Sequence, residues 1–224
     1  SRDDLLAINA GIVKGAAEEI RKRAPDAVVI VVTNPLDVMT WLAQKVTGFP
    51  AARVFGMAGV LDTARMRYFI AEKTGSIPKN VEAVVLGGHG DLMVPVSSHS
   101  KADGKPVKEA VPAAELAQIE QRTRDGGAEI VALLKTGSAF YAPASSVCEM
   151  VSSILKDQKK TMPVCAYLEG AYGLHDIYFG VPASLGRNGV EKVVEILLTE
   201  EEKKALQLSA QKVKQGIFGE KPKN

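Results

Sequence analysis

Two short stretches carry side chains able to act on a proton or a carboxylate. In "GGHGD", His89 stands among glycines at the end of the apolar segment "VEAVVL", where missing side chains let backbone and ligand approach closely. In "VLDTARMR", Asp62 and Arg65 are three residues apart and project from one face of a helix within its first turns. Spacing alone is satisfied by an ordinary helical ion pair, and a lone histidine is more often structural than catalytic. The apolar, glycine-rich entry "FGMAGVL" weighs the other way. It predicts a buried turn, and a buried carboxylate needs a partner. An imidazole supplies one: a carboxylate accepting from one ring nitrogen fixes the tautomer and leaves the other nitrogen facing substrate as acid or base. Of the three histidines, His99 falls in a polar hairpin and His175, in "GLHDIY", reads as a structural or surface residue.

The elements that must position these groups follow from hydrophobic periodicity. Leu5, Ile8, Ile12, Ala16 and Ile20 recur at steps of three and four, predicting a helix with that face buried, ended by "KRAPD". "AVVIVV" is an all-apolar, β-branched run of the kind found in a parallel sheet covered on both faces. "TNPLDVMTWLAQKV" reads as a loop and a proline-started helix with Leu36, Met39 and Val46 inward, "VFGMAG" as a short strand, and "VLDTARMRYFIAEKTG" as a helix closed by Gly75. This rhythm is that of a doubly wound sheet. Beyond His89 the pattern changes. A hairpin turning at Asp103-Gly104 is expected, then a helical stretch from Ala113 to about Lys156 broken near Gly126-Gly127 and at "GSAFYAP", then a meander of strands. The last helix opens with Thr199 and Glu202 as a capping box and turns Leu206, Val213 and Ile217 inward. The fold class is α/β: the C-terminal part of a doubly wound parallel sheet over residues 1–58, followed by an α+β catalytic domain over 59–224.

Composition narrows the partners. The 28 basic and 26 acidic residues of the 224 are interspersed and leave a formal charge of +2, too little field to attract nucleic acid or anionic lipid. The longest aliphatic run is far too short to span a bilayer. Cys148 and Cys165 both lie in apolar settings without metal-ligand spacing, which predicts buried reduced thiols in a cytoplasmic protein and no metal.

"SRDDLLAINAGI", "VVTNPLD", "VFGMAGVLDTARMR", "GGHGDLMVP", "GGAEIVALLKTGSAFYAP" and "GVPASLGRNGVE" occur in the order found in NAD-dependent malate dehydrogenases of the lactate dehydrogenase-like type. The chain resembles that family from Ser1 to about Ile217, and six ordered motifs are more specific than any one. The resemblance implies hydride transfer between malate and NAD, giving oxaloacetate and NADH, in a homodimer or homotetramer. It assigns His89 as the proton acceptor from the malate hydroxyl, with Asp62 orienting it. Arg65 is similar to the arginine whose planar fork grips the substrate 1-carboxylate, and Asn34 to the asparagine that hydrogen-bonds substrate near the nicotinamide. Asn9 matches a position near the cofactor, and "GSAFYAP" a wall of the substrate pocket. Arg2 resembles the end of a loop that closes over substrate and polarises the carbonyl being reduced. Without the resemblance, Ser1 followed by Asp4 is already satisfied as a helix cap, and Arg2 needs no role.

The family's G-x-G-x-x-G pyrophosphate turn, its ribose-binding acid and the arginine for the distal carboxylate are not found in these residues. Gly87-Gly88 and Gly126-Gly127 have neither the spacing nor the setting of that turn. The expectation is a fragment of a longer enzyme, inactive alone. Lactate or another 2-hydroxy acid is the alternative substrate. From a different class, a truncated homologue would act as a non-catalytic binding or scaffold protein.

Overall fold

The computed structural model describes residues 2–219, with side chains from residue 6 onward. Helix α1 (Arg2–Arg23) leads into β1 (Val29–Val31), α2 (Leu36–Thr47), β2 (Val54–Gly56) and α3 (Gly59–Thr74). The middle of the chain holds β3 (Val81–Glu82), β4 (Val85–Gly87), β5 (Met93–Pro95), β6 (Lys101–Ala102), β7 (Lys105–Pro106) and the short α4 (Val107–Ala110). Two long helices, α5 (Ala113–Leu134) and α6 (Tyr141–Leu155), precede the meander β8 (Lys160–Glu169), β9 (His175–Gly186) and β10 (Gly189–Val193), and α7 (Glu200–Phe218) follows.

β1 and β2 are parallel, in register Val29↔Val54. β2 then pairs antiparallel with β8 through Gly56↔Cys165, so one sheet runs β1-β2-β8-β9-β4-β5 with β10 on β9. The parallel unit and the meander therefore share a sheet, where the sequence predicted a parallel sheet followed by a separate α+β region. A three-stranded sheet, β3-β6-β7, carries the expected turn, with Asp103 and Gly104 both at positive φ.

Thr199 and Glu202 form the capping box of α7, which buries Leu206 and Val213. The face assigned to α1 is corrected: Ile8 and Ile12 are 61% and 63% exposed, while Val13 and Ala17 are buried with Leu6, Ala10 and Ile20 packed beside them. Two apolar stripes share this helix, and contact with α2 selects the second. The predicted break at Gly126-Gly127 is absent, since α5 runs unbroken to Leu134; the chain breaks only before α6, at "GSAFYAP". Cys148 is exposed, not buried, because α6 turns Ser146, Met150, Ser153 and Ile154 inward instead.

Candidate active site

His89 follows β4, which is fixed between β5 and β9. The turn out of the strand requires Gly87, whose φ of +92° is closed to most side chains. A serine from α7 clips the loop shut: the Gly88 N–H donates to Ser209 Oγ at 3.0 Å, and that hydroxyl donates to the Leu92 carbonyl at 2.6 Å. Helix α3 is tied to the same strand, since the Val85 N–H donates to Thr63 Oγ1 at 3.0 Å. One turn of α3 thus sits against the loop. There His89 Nδ1 is 2.8 Å from Asp62 Oδ2, and Arg65 Nη1 donates to Asp62 Oδ1 at 3.3 Å.

Asp62 is 2% exposed and His89 13%. Burial pushes the imidazole pKa down, but the charge and hydrogen bond of Asp62, joined by the charge of Asp37, outweigh burial and the opposing Arg65. The result lies above the ordinary histidine value. With Nδ1–H donating to Asp62, Nε2 has no protein partner among the described residues and is the nitrogen left for a ligand. Asp37 was not singled out in the sequence. It opens α2, accepts the His89 backbone N–H at Oδ2, 3.0 Å, and the Cys165 thiol at Oδ1, 3.3 Å. Burial lifts its carboxyl to about 6, against these donors and the nearby His89, which pull it down.

Arg65 is the cationic member, 14% exposed, and its Nε is buried without a hydrogen-bond partner. The glycine pair of α5 makes room for it. A Cβ on Gly126 would stand 3.0 Å from Arg65 Cδ and 3.3 Å from Nε, closer than nearly all real Cβ contacts. That is the physical reason for a glycine at position 126 of an intact helix, whereas a Cβ on Gly127 would meet the guanidinium only at an ordinary 4.0 Å. A cleft of about 360 Å³ lined by Leu61, Arg65, Tyr68, Gly126 and Ala142 reaches Arg65 but neither Asp62 nor His89. Ala142 is its link to the "GSAFYAP" stretch.

Asn34 lies just beyond the carboxyl end of β1, exposed, where open α/β sheets bind ligands. Asn9 reaches it from α1, its Nδ2 donating to the Asn34 carbonyl at 2.6 Å, so Asn9 braces the loop. Arg2 opens α1, but its side chain, like Ser1, lies outside the described residues. His99 bonds through Nε2 to the Leu197 carbonyl, and the exposed His175 pairs with Glu169; neither joins the site. Among the described residues no helix is long and apolar enough to cross a membrane.

An exposed amide beyond the carboxyl end of β1 and an imidazole with one nitrogen free of partners among the described residues are groups of the chemistry that fits the nicotinamide end of NAD.

Sequence profiles of known families match both parts of the chain: residues 1–56 as the lactate/malate dehydrogenase NAD-binding domain and 59–221 as the lactate/malate dehydrogenase α/β C-terminal domain. The malate dehydrogenase of Synechocystis sp. is 55% identical over 217 residues, 97% of this chain and 67% of that protein. The solved malate dehydrogenase of Salinibacter ruber superposes with a TM-score of 0.94 at 47% identity, covering 97% of this chain and 71% of that one. A lactate dehydrogenase of Cryptosporidium parvum, solved with lactic acid and NAD, gives 0.94 at 41%, covering 99% and 72%. The chain spans about two thirds of the length of its curated relatives. Matched over both segments and superposing on solved members, the chain belongs to the lactate/malate dehydrogenase family.

Proposed function

We propose that this site carries the malate dehydrogenase reaction, the reversible oxidation of (S)-malate to oxaloacetate with NAD. The observation that carries the reading is the 2.8 Å His89–Asp62 pair with the Arg65 guanidinium on the same carboxylate. Curated relatives that are 51–55% identical bear the malate dehydrogenase name, which favours malate over other 2-hydroxy acids.

His89 Nε2 accepts the proton of the malate hydroxyl, while Asp62 keeps the proton on Nδ1 and stabilises the imidazolium that forms. Arg65 binds the substrate carboxylate through its planar fork. The bond to Asp62 at Nη1 fixes that fork before substrate arrives. Asn34 orients the reacting oxygen, Asn9 steadies Asn34, and Arg2 supplies positive charge where the carbonyl is polarised. The nicotinamide, when bound, supplies the hydride acceptor. In this reading residues 1–58 are the remaining part of the dinucleotide-binding domain, which lends Arg2 and Asn34 to the substrate, and 59–224 are the catalytic domain, in a cytoplasmic homodimer or homotetramer.

Replacing His89 with asparagine in the complete enzyme tests it. Turnover of oxaloacetate should fall about 10²- to 10⁴-fold, while NADH affinity, followed by nucleotide fluorescence, stays within a few-fold. Oxaloacetate reduction needs the protonated ring, so its rate should fall as pH rises through a value above the ordinary histidine pKa. Pyruvate is the comparison substrate; equal turnover of both would replace malate with a broader 2-hydroxy acid. Near-normal turnover by the His89→Asn protein would remove the histidine from the mechanism.

A further inference from the structure

The reaction as proposed leaves one buried carboxylate unused. Asp37 is 5% exposed and makes no ion pair among the described residues. It is held instead by the His89 N–H and the Cys165 thiol. Burial pushes that thiol well above its ordinary pKa, with Asp37 adding to the effect, so Cys165 is a neutral donor. An ionised carboxylate enclosed by neutral donors is an unfavourable way to hold a loop. The same loop shows the cheaper way. Ser209 fixes Gly88 and Leu92, on either side of His89 in the chain, with an uncharged hydroxyl. Position alone therefore does not call for a charge at Asp37, and the residue whose backbone that carboxylate holds is His89.

We infer that Asp37 is a positioning residue for proton transfer: its carboxylate fixes the His89 backbone and adds a second negative charge that keeps the proton on the imidazolium until substrate takes it. The inference rests on the reading of His89 as the acid and base. During oxaloacetate reduction the proton leaves Nε2 for the substrate oxygen, while Nδ1–H stays bonded to Asp62, so neither aspartate changes its proton count. The groups facing this device are Asp62 and Arg65 on α3, which act on the ring with opposite signs, and Cys165 on β8 with Tyr178 behind it on β9.

The test is an NMR titration. With three histidines in the chain, the His89 imidazole can be identified by its loss in His89→Gln. Asp37→Asn keeps an oxygen for the His89 N–H but removes the charge, and should lower the imidazole pKa by about half a unit or more. Ser209→Ala loosens the loop without a charge change, and should move it by less than about 0.2 units. An unmoved imidazole in Asp37→Asn, or an equal shift in both variants, would overturn the inference. If Asp37→Asn does not fold, Asp37→Ser, which keeps a hydroxyl oxygen for the His89 N–H without the charge, is titrated in its place, and an unmoved imidazole there would overturn the proposal. None of these readouts needs turnover, so failure of the proton-transfer reading is seen separately, as an active His89→Asn enzyme.

Discussion

Asp62 and Asp37 both hold His89, one through its ring and the other through its backbone, and the company they keep differs. Asp62 faces an imidazole and a guanidinium; Asp37 faces an amide and a thiol. Both are almost fully enclosed. The first has a guanidinium and an imidazole as partners, and their attraction for a carboxylate is strengthened by the low dielectric around them. The second has only neutral donors, and burial raises its carboxyl to about 6. Enclosure is thus not a property with one consequence: the neighbours decide whether it stabilises a charge or opposes it.

The contrast is most sharply tested by neutralising each member in turn. Asp62→Asn keeps the shape but loses the charge that stabilises imidazolium, and turnover should fall about a hundredfold or more, measured at saturating substrate. Asp37→Asn should lose less, since its charge acts through the backbone side. Equal losses would erase the distinction. Next in size is Arg65→Lys, which retains charge without the planar fork. We expect the Michaelis constant for oxaloacetate to rise by an amount equivalent to about 1–3 kcal/mol, with turnover less affected.

Stability should respond in the opposite sense from activity. The folded-state carboxyl of Asp37 is raised to about 6 from 3.8. Its contribution to stability is therefore fully present below pH 3.8 and lost as pH rises through about 6. Asparagine has no such titration. The Asp37→Asn protein should gain on the unsubstituted one as pH rises through those limits, by about 3 kcal/mol at pH 8, read from denaturant midpoints across pH. A pH-independent difference would show that the carboxylate bears no burial penalty. The smallest effect is expected from Gly126→Ala, whose methyl must displace Arg65. Oxaloacetate affinity should weaken about two- to tenfold, roughly a kcal/mol or so, with helix content unchanged.

Much of this was legible in the residues. The capping box of α7, the glycine that closes α3 and the strand feeding the His89 loop each follow from local chemistry, and the Asp62–Arg65 spacing put both side chains on one helical face. What was not legible depends on distant neighbours. Helix α1 carries two apolar stripes, and only packing on α2 tells which is buried. Gly126-Gly127 reads as a helix break because glycine weakens helices, yet Gly126 answers to an arginine side chain on another helix. Asp37 looks like an ordinary acid in a first turn until Cys165, 128 residues away, is placed beside it. Ser209 is invisible for the same reason, its partners lying more than a hundred residues back.

The single register pair joining β2 to β8, Gly56↔Cys165, also bears on the order in which the molecule assembles. The β8–β9 hairpin pairs along its length from Lys160↔Leu185 to Glu169↔His175, a local contact that closes a short loop and forms quickly. The β1–α2–β2 unit can dock only onto the edge that this hairpin provides, across a chain separation of about a hundred residues. Asn34 and Asp37 travel with that unit while His89 belongs to the strand on the far side of the hairpin. The proposed site is accordingly completed by a contact of high sequence separation, and although Asn34 and Asp37 are made before His89 they are held beside it only once the hairpin has formed.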